Sequence, residues 1–483
     1  MKPINKNIKP SGIFFLTIIF SGFFLRFYNL NLDNFWVDEI FSFWVADPSI
    51  SLKETYLRNN QIEIVPILFN LILKIFFQIF GYDIHLARYV PLFFGVLSII
   101  FVSKLYREIT KNKNDLLITF LLSFNIFLIS YSQELRVYTL LFFLVTINLI
   151  YFNKIVETNK KNISSIIIFI VINFLSILAH QFSLIVIFSY IVFIIITYLK
   201  YNKTFKNLNI SISILIVFSL IYLYIFYKNQ VNFMFWINAI DIKFFTNLYF
   251  SKFFGSRLVG GLHLLLFFYL IFLNWRKFFL EFNVKLILFI IVFFSYFLPI
   301  IYGYIFHPII NARYIIFVLI PILIIICDLI YKLESAKIKK ILIFLICAIT
   351  IGNHFTEASF RQFFEQRRTY KPDFNGAINE IKKSGNFNIF LKVDRGDLKV
   401  SNPVEPQIEA LENYVSYLSK KNKVNLNIIN NNSFTKHKNF WVICVFDLNP
   451  NKNCKKPKKI TSYKIVKNLD LNRLNIKYFE KEN

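Results

Sequence analysis

Two adjacent carboxylates, Asp38 and Glu39, follow the first long apolar segment of the chain and lie between Trp36 and Trp44. Burial and a neighbouring carboxylate both raise a carboxyl pKa, which suits a group that takes a proton from a hydroxyl. The pair is therefore a candidate general base. Two solvated loop acids would give the same pattern, so the residues alone leave both interpretations open.

Further ionisable residues stand at the ends of later apolar segments, where such groups are costly and are candidates for function. Guanidinium groups bind phosphate through paired hydrogen bonds, so the arginines favour an anionic substrate, although each could instead anchor its helix at the interface. These candidates are Glu134, Arg136, His180, Arg257, His307 and Arg313. His180, His307 and Glu39 are also candidate ligands for a divalent metal, but isolated structural histidines are the simpler interpretation.

The composition predicts that membrane helices position these groups. Of 483 residues, 56% are hydrophobic and 17% are charged, against roughly 25% charged in soluble domains. A wholly soluble protein and a mainly disordered one are both excluded. The net charge of +27 does not indicate nucleic-acid binding, because lysine is abundant throughout the sequence. We expect membrane lipids, and no nucleic acid, as partners.

Eleven apolar runs have lengths suited to crossing a bilayer, which takes roughly 20 residues. They are 11–28, 89–106, 116–132, 136–153, 163–180, 182–199, 209–227, 260–275, 284–303, 313–331 and 339–353. A twelfth run, 64–80, has polar residues at every fourth position, namely Asn70, Lys74 and Gln78. This stripe is typical of a helix lying in the interface, or of a spanning helix that turns it inward.

The distribution of lysine and arginine decides between these two interpretations, because cytoplasmic loops collect positive charge. If 64–80 lies flat, the basic loops all fall on the cytoplasmic side, and if it crosses, they all fall outside. We therefore predict eleven spans in a bacterial inner membrane, with the N-terminus cytoplasmic and the C-terminus extracytoplasmic. Asp38, Glu39, Glu134, Arg136 and Arg313 then share the outer surface.

The chain changes character after about residue 353, where asparagine, lysine and turn residues become frequent. Helices are expected at Asp373–Ser384 and Glu405–Lys420, and strands at Phe387–Val393, Val424–Ile429, Phe440–Phe446 and Ser462–Val466. We predict a transmembrane domain at 1–353 and a small α/β domain at 354–483. If this domain is extracytoplasmic, Cys444 and Cys454 lie in an oxidising compartment. A disulfide between them is then allowed, but two cysteines alone are weak support for it. The lysines at 452–459 have two interpretations: they belong to a solvated loop, or they contact anionic lipid headgroups.

Four stretches, taken in order, resemble the GT-C glycosyltransferases, in particular the branch of protein O-mannosyltransferases and aminoarabinose transferases. The stretches are Arg26–Glu39, Phe80–Gly95, Tyr131–Tyr138 and Arg313–Pro321, and together they cover roughly residues 1–350. Where many relatives have a His-Pro-Pro triplet, this chain has Ile64, Val65 and Pro66. The resemblance implies an all-α polytopic membrane fold.

The resemblance also implies transfer of a sugar from a polyprenyl-phosphate donor to an acceptor hydroxyl of a glycolipid, glycan or protein. Asp38 would be the base, and Glu39 would orient it or bind the acceptor. Glu134, Arg136, Arg313, His180, Tyr131, Tyr138 and Arg257 would bind substrate. Displacement assisted by one base would invert the anomeric centre. No cofactor is firmly implied, although a divalent metal would be compatible.

The donor prediction has independent support, since the sequence contains neither an Asp-x-Asp triplet nor a glycine-rich phosphate loop. Both are features of enzymes that use nucleotides. Two other functions stay open from the residues alone. A lipid flippase would show inverted repeats and broken midplane helices, and none is evident in the sequence. A polymerase or ligase of lipid-linked glycans would form a different product from the same class of donor.

Overall fold

The computed structural model describes residues 10–62, 65–158, 162–229, 237, 240, 252–279, 284–355, 371–394, 404–429, 436–446 and 462–482. Within them, six helical segments are long and apolar enough to cross a membrane, at 84–110, 138–157, 181–201, 206–225, 286–305 and 336–355. Shorter apolar helices occupy 12–27, 163–179, 257–273 and 316–331. The predicted polytopic membrane architecture is confirmed.

The helices of the first half follow the predicted apolar runs closely. They are α1 (Pro10–Phe27), α2 (Val37–Val45), α3 (Leu52–Ile62), α4 (Leu68–Phe80), α5 (Ile84–Ala87), α6 (Tyr89–Thr110), α7 (Leu116–Phe124), α8 (Ile126–Ser132), α9 (Tyr138–Thr158), α10 (Ile163–Ala179), α11 (Leu184–Tyr201) and α12 (Lys206–Asn229). The second half adds α13 (Arg257–Phe279), α14 (Leu286–Ile305), α15 (Leu319–Tyr331) and α16 (Ala336–Gly352). The core consists of the apolar faces that these helices turn toward one another.

Helix α4 has 13 residues, about 20 Å at 1.5 Å per residue, which is too short to cross a hydrocarbon layer of about 30 Å. Two members of its polar stripe are buried against the residues between α1 and α4, which are named the first outer segment after the side on which the sequence predicts them. Lys74 Nζ donates to the carbonyls of Asp47 and Ile50, at 2.5 and 2.7 Å, and Asn70 donates to Asn59 at 2.8 Å. Gln78 is exposed. The length and these contacts support the prediction of a flat helix.

The predicted span 116–132 is divided at Asn125, whose backbone is extended and whose side chain caps α8 by accepting from Leu128 N at 2.9 Å. The break exposes carbonyls at the end of α7, and Arg26 of α1 satisfies them. Its guanidinium donates to the carbonyls of Leu122 and Ser123, each at 2.9 Å. In return, Gln133 donates to the carbonyls that end α1, including Tyr28 O at 2.8 Å. A buried arginine thus joins two membrane segments.

The C-terminal part forms a mixed five-stranded sheet in the order β2-β1-β3-β5-β4. Its elements are α17 (Phe374–Ser384), β1 (Asn388–Val393), α18 (Val404–Lys421), β2 (Asn427–Ile428), β3 (Asn439–Val445), β4 (Tyr463–Leu471) and β5 (Leu474–Lys481). The first three strands are parallel, and β5 pairs antiparallel with β3 and β4. Cys444 on β3 is disulfide-bonded, while Cys327 and Cys347 are free. Cys454 and the lysines at 452–459 lie outside the described residues.

The structure has one more strand than the sequence analysis predicts. The prediction lacked β5, ended β4 at 466 instead of 471, and made β2 six residues long where the structure has two. Helix α18 packs against the first outer segment, where Phe35 N donates to Tyr414 OH at 2.9 Å and the two rings stack. The domain boundary at residue 353 stays a prediction.

Replacing Arg26 with methionine should destabilise the protein, because the carbonyls of Leu122 and Ser123 would lose a charged donor inside the membrane region. We expect a loss of about 2–3 kcal/mol in the free energy of unfolding, seen as a lower melting temperature of the detergent-purified protein. Arg107→Met is the matched control, since Arg107 has a side chain 50% exposed and pairs with Asp115 at 3.4 Å. Equal melting temperatures for the two variants would contradict the proposed role of Arg26.

Candidate active site

Asp38 lies in the first turn of α2, which begins after the extended residue Trp36. A carboxylate is favoured there by the partial positive charge of the helix N-terminus. Its Oδ2 accepts from Arg313 Nη1 at 3.2 Å, and its side chain is 22% exposed. Asp38 is therefore both paired with a cation and accessible to a second molecule.

The side chain of Arg136 contacts the same helix, α2. Its Nη1 donates to the Asp38 carbonyl at 2.9 Å and to Ser42 Oγ at 3.0 Å. Arg136 is 5% exposed. This arginine fixes the orientation of α2 and adds positive charge beside Asp38, whereas the carboxylate itself pairs with Arg313.

Arg313 precedes the short 3₁₀ turn at Ile316–Val318 and is surrounded by aromatic rings. Its guanidinium carbon lies 5.6 Å from the ring centres of Trp36 and Tyr138 and 5.4 Å from that of Tyr314. Aromatic faces attract a cation and restrict the geometry of its side chain. The arginine is held in place while its charge stays available on the side of Asp38.

A cavity of about 320 Å³ opens beside this pair. Its walls carry one acid and two cations among aromatic and apolar groups, so it is suited to a partly charged ligand. It is lined by Trp36, Ile126, Phe127, Ser130, Tyr131, Glu134, Lys252, Gly255 and Arg313. Arg313 belongs to the cavity wall and also pairs with Asp38, so it links the candidate base to the candidate binding space.

Glu39 has a different environment from its neighbour, since it is 0% exposed. Arg88 donates to both of its oxygens, at 2.8 and 2.9 Å, and Lys371 from the C-terminal region donates to Oε2. The backbone N–H groups of Trp36 and Leu135 donate as well, at 3.3 and 2.8 Å. Both carboxylate oxygens are enclosed by protein groups, so Glu39 is not placed to bind an acceptor. It holds Asp38 in place through the shared helix.

The charges around Glu39 determine its protonation. Burial alone would raise the pKa of this carboxyl, but the charges and hydrogen bonds of Arg88 and Lys371 lower it to about 2. Glu39 is therefore ionised throughout the physiological range. The sequence expectation of a carboxyl with a raised pKa does not apply to this member of the pair.

The remaining candidates lie at different distances from the cavity. His180 is 1% exposed, and its ring centre lies 6.2 Å from that of Tyr138 and 5.1 Å from that of Tyr314. His180 packs against two of the aromatic rings that surround Arg313, and it does not line the cavity. Arg257 is exposed at the start of α13, and His307 packs against Tyr302. Within the described residues, no three histidine, cysteine or acidic side chains are grouped closely enough to hold a metal.

Sequence reasoning missed Lys252 and Lys371. Lys252 lies three residues before Gly255, and both line the cavity. Lys371 lies two residues before Asp373, which caps α17 by accepting from Gly376 N at 2.9 Å. Neither lysine carries a local signal in a chain with 55 lysines and arginines. Only their three-dimensional positions separate them from surface lysines.

Comparison with known proteins agrees with the fold. Residues 65–224 match the family model described as dolichyl-phosphate-mannose-protein mannosyltransferase. The structure resembles crystal structures of ArnT from Cupriavidus metallidurans bound to undecaprenyl phosphate and in the apo state. The TM-scores are 0.57 and 0.56, each at 11% sequence identity over 96% of this chain and 97% of the other. No curated protein sequence matches this chain significantly.

The chain has the fold of the GT-C glycosyltransferases. The family model and the fold both support this assignment, and the resemblance inferred from the four sequence stretches is confirmed. At 11% identity the ArnT structures establish the fold of this protein and assign no residue to a role. The roles of its site residues rest on the contacts described above.

Glu39 should make the stability of this protein depend on pH. A carboxyl whose folded pKa lies below its ordinary value stabilises the fold above that value, and the stabilisation is lost as the pH falls from about 4.5 toward 2. The loss should be of the order of 3 kcal/mol. Glu39→Gln should lower the melting temperature at neutral pH. The melting temperature of this variant should then fall less on acidification than that of the wild-type protein.

The measurement is a series of thermal unfolding scans of the detergent-purified protein from about pH 6 to about pH 3. Glu54→Gln is the control, because Glu54 lies in the same outer segment, has a side chain 46% exposed and pairs with Arg58. An identical pH profile for the wild-type protein and Glu39→Gln would exclude Glu39 as the responsible group.

Proposed function

We propose that this protein transfers a sugar from a polyprenyl-phosphate donor to an acceptor hydroxyl on the extracytoplasmic face of a bacterial inner membrane. The observation that carries this proposal is the Asp38–Arg313 pair, 3.2 Å apart, whose arginine lines a cavity of about 320 Å³. A base and a fixed cation side by side match a reaction in which a hydroxyl loses a proton and a phosphate leaves with negative charge.

In the proposed reaction, Asp38 takes the proton of the acceptor hydroxyl as the acceptor oxygen attacks the anomeric carbon. The bond from that carbon to the phosphate oxygen breaks, and polyprenyl phosphate leaves with the bonding electrons. One displacement inverts the anomeric centre. The exposed part of Asp38 leaves room for the acceptor, and hydrogen-bond reach from the base to the hydroxyl is the geometric requirement.

The departing phosphate needs cations more than it needs a proton donor, because phosphate is a good leaving group once its charge is matched. Arg313 and Lys252 both line the cavity. Arg136 contributes charge from the other side of α2, where it binds the Asp38 carbonyl. We propose that Arg313 exchanges part of its pairing with Asp38 for the phosphate when the donor binds, which leaves the carboxylate ready for the acceptor.

The proposed orientation has the N-terminus in the cytoplasm, with residues 1–353 as the membrane domain and 354–483 as an extracytoplasmic domain. The distribution of basic loops supports it. The disulfide at Cys444 also supports it, because disulfides persist in oxidising compartments. Glu134 in the cavity wall is a candidate for binding sugar hydroxyls or the acceptor. The acceptor itself is proposed as a glycolipid, glycan or protein hydroxyl.

Asp38→Asn should abolish sugar transfer while the protein still inserts and folds, since the amide cannot take the proton. The measurement is transfer of radiolabelled sugar from polyprenyl-phosphate donors by the purified protein in lipid nanodiscs, using extracted envelope lipids and glycans as acceptors. Glu54→Gln is the control, because it changes an exposed acid of the same outer segment that does not line the cavity.

Two outcomes would count against this proposal. Near-normal turnover by Asp38→Asn would remove Asp38 from the mechanism. Movement of the donor lipid across the membrane without any new glycosidic bond would favour a flippase, and a polymeric product would favour a polymerase.

Arg313→Gln should weaken binding of the donor as well as lower turnover, because the cavity would lose its arginine and Asp38 would lose its partner. Removal of one such charged contact costs about 100-fold or more in rate. Affinity for polyprenyl phosphate, measured by fluorescence quenching of the purified protein, should fall in parallel. Arg107→Gln, at the far end of α6, should retain wild-type affinity, and equal affinity for Arg313→Gln would contradict the phosphate-binding role.

A further inference from the structure

Lys371 connects the C-terminal region to the site more directly than any other tail residue described. Its Nζ donates to Glu39 Oε2, across 332 positions of the chain. The side chains of Lys371, Glu39 and Arg88 are 1%, 0% and 3% exposed. The ion pair is thus sealed inside the protein, one residue from Asp38.

The tail holds this lysine by several contacts of its own. The Lys371 carbonyl accepts from Asn472 Nδ2 at 2.6 Å, and Asp373 N donates to the Asn472 carbonyl at 3.0 Å. Asn472 begins the two-residue loop between β4 and β5. One turn later, Asn375 N donates to Asn34 Oδ1 at 3.1 Å. The position of Lys371 therefore depends on the folded sheet and on the first outer segment together.

The lysine also lies beside the wall of the cavity. Its Nζ is 5.9 Å from the centre of the Trp36 ring, and Arg313 lies 5.6 Å from the same centre. Trp36 lines the cavity, and its backbone N–H is bound by Glu39. Arg88 and Lys371 both donate to the buried Glu39 carboxylate, and a buried ion pair is tolerated only where its hydrogen bonds are well made.

We propose that Lys371 is a positioning residue that completes the ion pair of Glu39 and so holds α2, with Asp38, in its reactive orientation. The C-terminal domain then forms part of the catalytic framework. This inference rests on the proposed role of Asp38. A misplacement of about 1 Å at a reacting group costs roughly 100-fold in rate, so loss of this contact should act mainly on turnover.

The test compares three single variants of the full-length protein. Lys371→Met should lower kcat by about tenfold to 100-fold while KM for the polyprenyl-phosphate sugar changes much less. Lys371→Arg should recover most of the activity, because a guanidinium can also donate to Glu39. Lys383→Met is the control and should match wild type, since Lys383 is 73% exposed and pairs with Glu380 on the surface of α17.

A double variant tests whether Lys371 acts through Glu39. In a Glu39→Gln background, Lys371→Met should have little further effect, because the charge that it pairs with is already gone. Independent effects that multiply would show that Lys371 acts elsewhere, and a KM increase without a change in kcat would assign it to substrate binding. Either result would overturn the proposal.

A second measurement does not depend on any transfer assay. Hydrogen–deuterium exchange of the peptide containing Val37–Val45 should become faster in Lys371→Met and stay unchanged in Lys383→Met. Unchanged exchange in Lys371→Met would refute the positioning role even if the enzyme is active. Faster exchange in a protein that transfers no sugar from any polyprenyl-phosphate donor would retain the structural link and reject the proposed function instead.

Discussion

The hydrogen bonds to the buried carboxylate of Glu39 determine how the chain segments around the candidate site are arranged. It accepts hydrogen bonds from the start of α2, from Arg88 before α6, from Leu135 before α9 and from Lys371 in the tail. An ion taken out of water is tolerated only when its partners surround it. The four chain segments must therefore be in place together, which fixes their relative positions more strictly than apolar packing would.

The contacts of Glu39 also affect the candidate site, because residues of the site are next to residues that contact Glu39 in the chain. Asp38 precedes Glu39 by one residue, and Arg136 follows Leu135 by one residue and binds the Asp38 carbonyl. Trp36 gives its N–H to Glu39 and its ring to the cavity. Side chains that succeed one another on a helix or a tight turn point in different directions. Glu39 and Leu135 are buried and support the arrangement, Asp38 stays partly exposed, and the Trp36 ring lines the cavity.

The sequence could predict which segments meet but not which member of each pair does the chemistry. Apolar runs and the placement of basic residues put Asp38, Arg136 and Arg313 on one side, and the structure brings Asp38 and Arg313 within 3.2 Å. An Asp-Glu pair carries no mark of which acid is buried, because that depends on Arg88 and Lys371, which are distant in sequence. The break at Asn125 was missed for a similar reason, since one asparagine in an apolar run is compatible with a continuous helix. Strand β5 follows a loop of Asn472 and Arg473, with φ of 57° at Arg473 and without the glycine that usually marks a hairpin.

The distance along the chain between Glu39 and Lys371 has a consequence for biogenesis. During synthesis, the segments that supply Trp36, Arg88 and Leu135 reach the membrane long before the ribosome has made residue 371, so for most of that time Glu39 has only part of its surroundings. The surroundings of Glu39 can be completed only after the last membrane helix and the tail have been made and brought together. Premature termination anywhere before the tail would therefore leave a membrane-embedded fragment without an organised site, and the cell would not acquire a partly active enzyme from an unfinished chain.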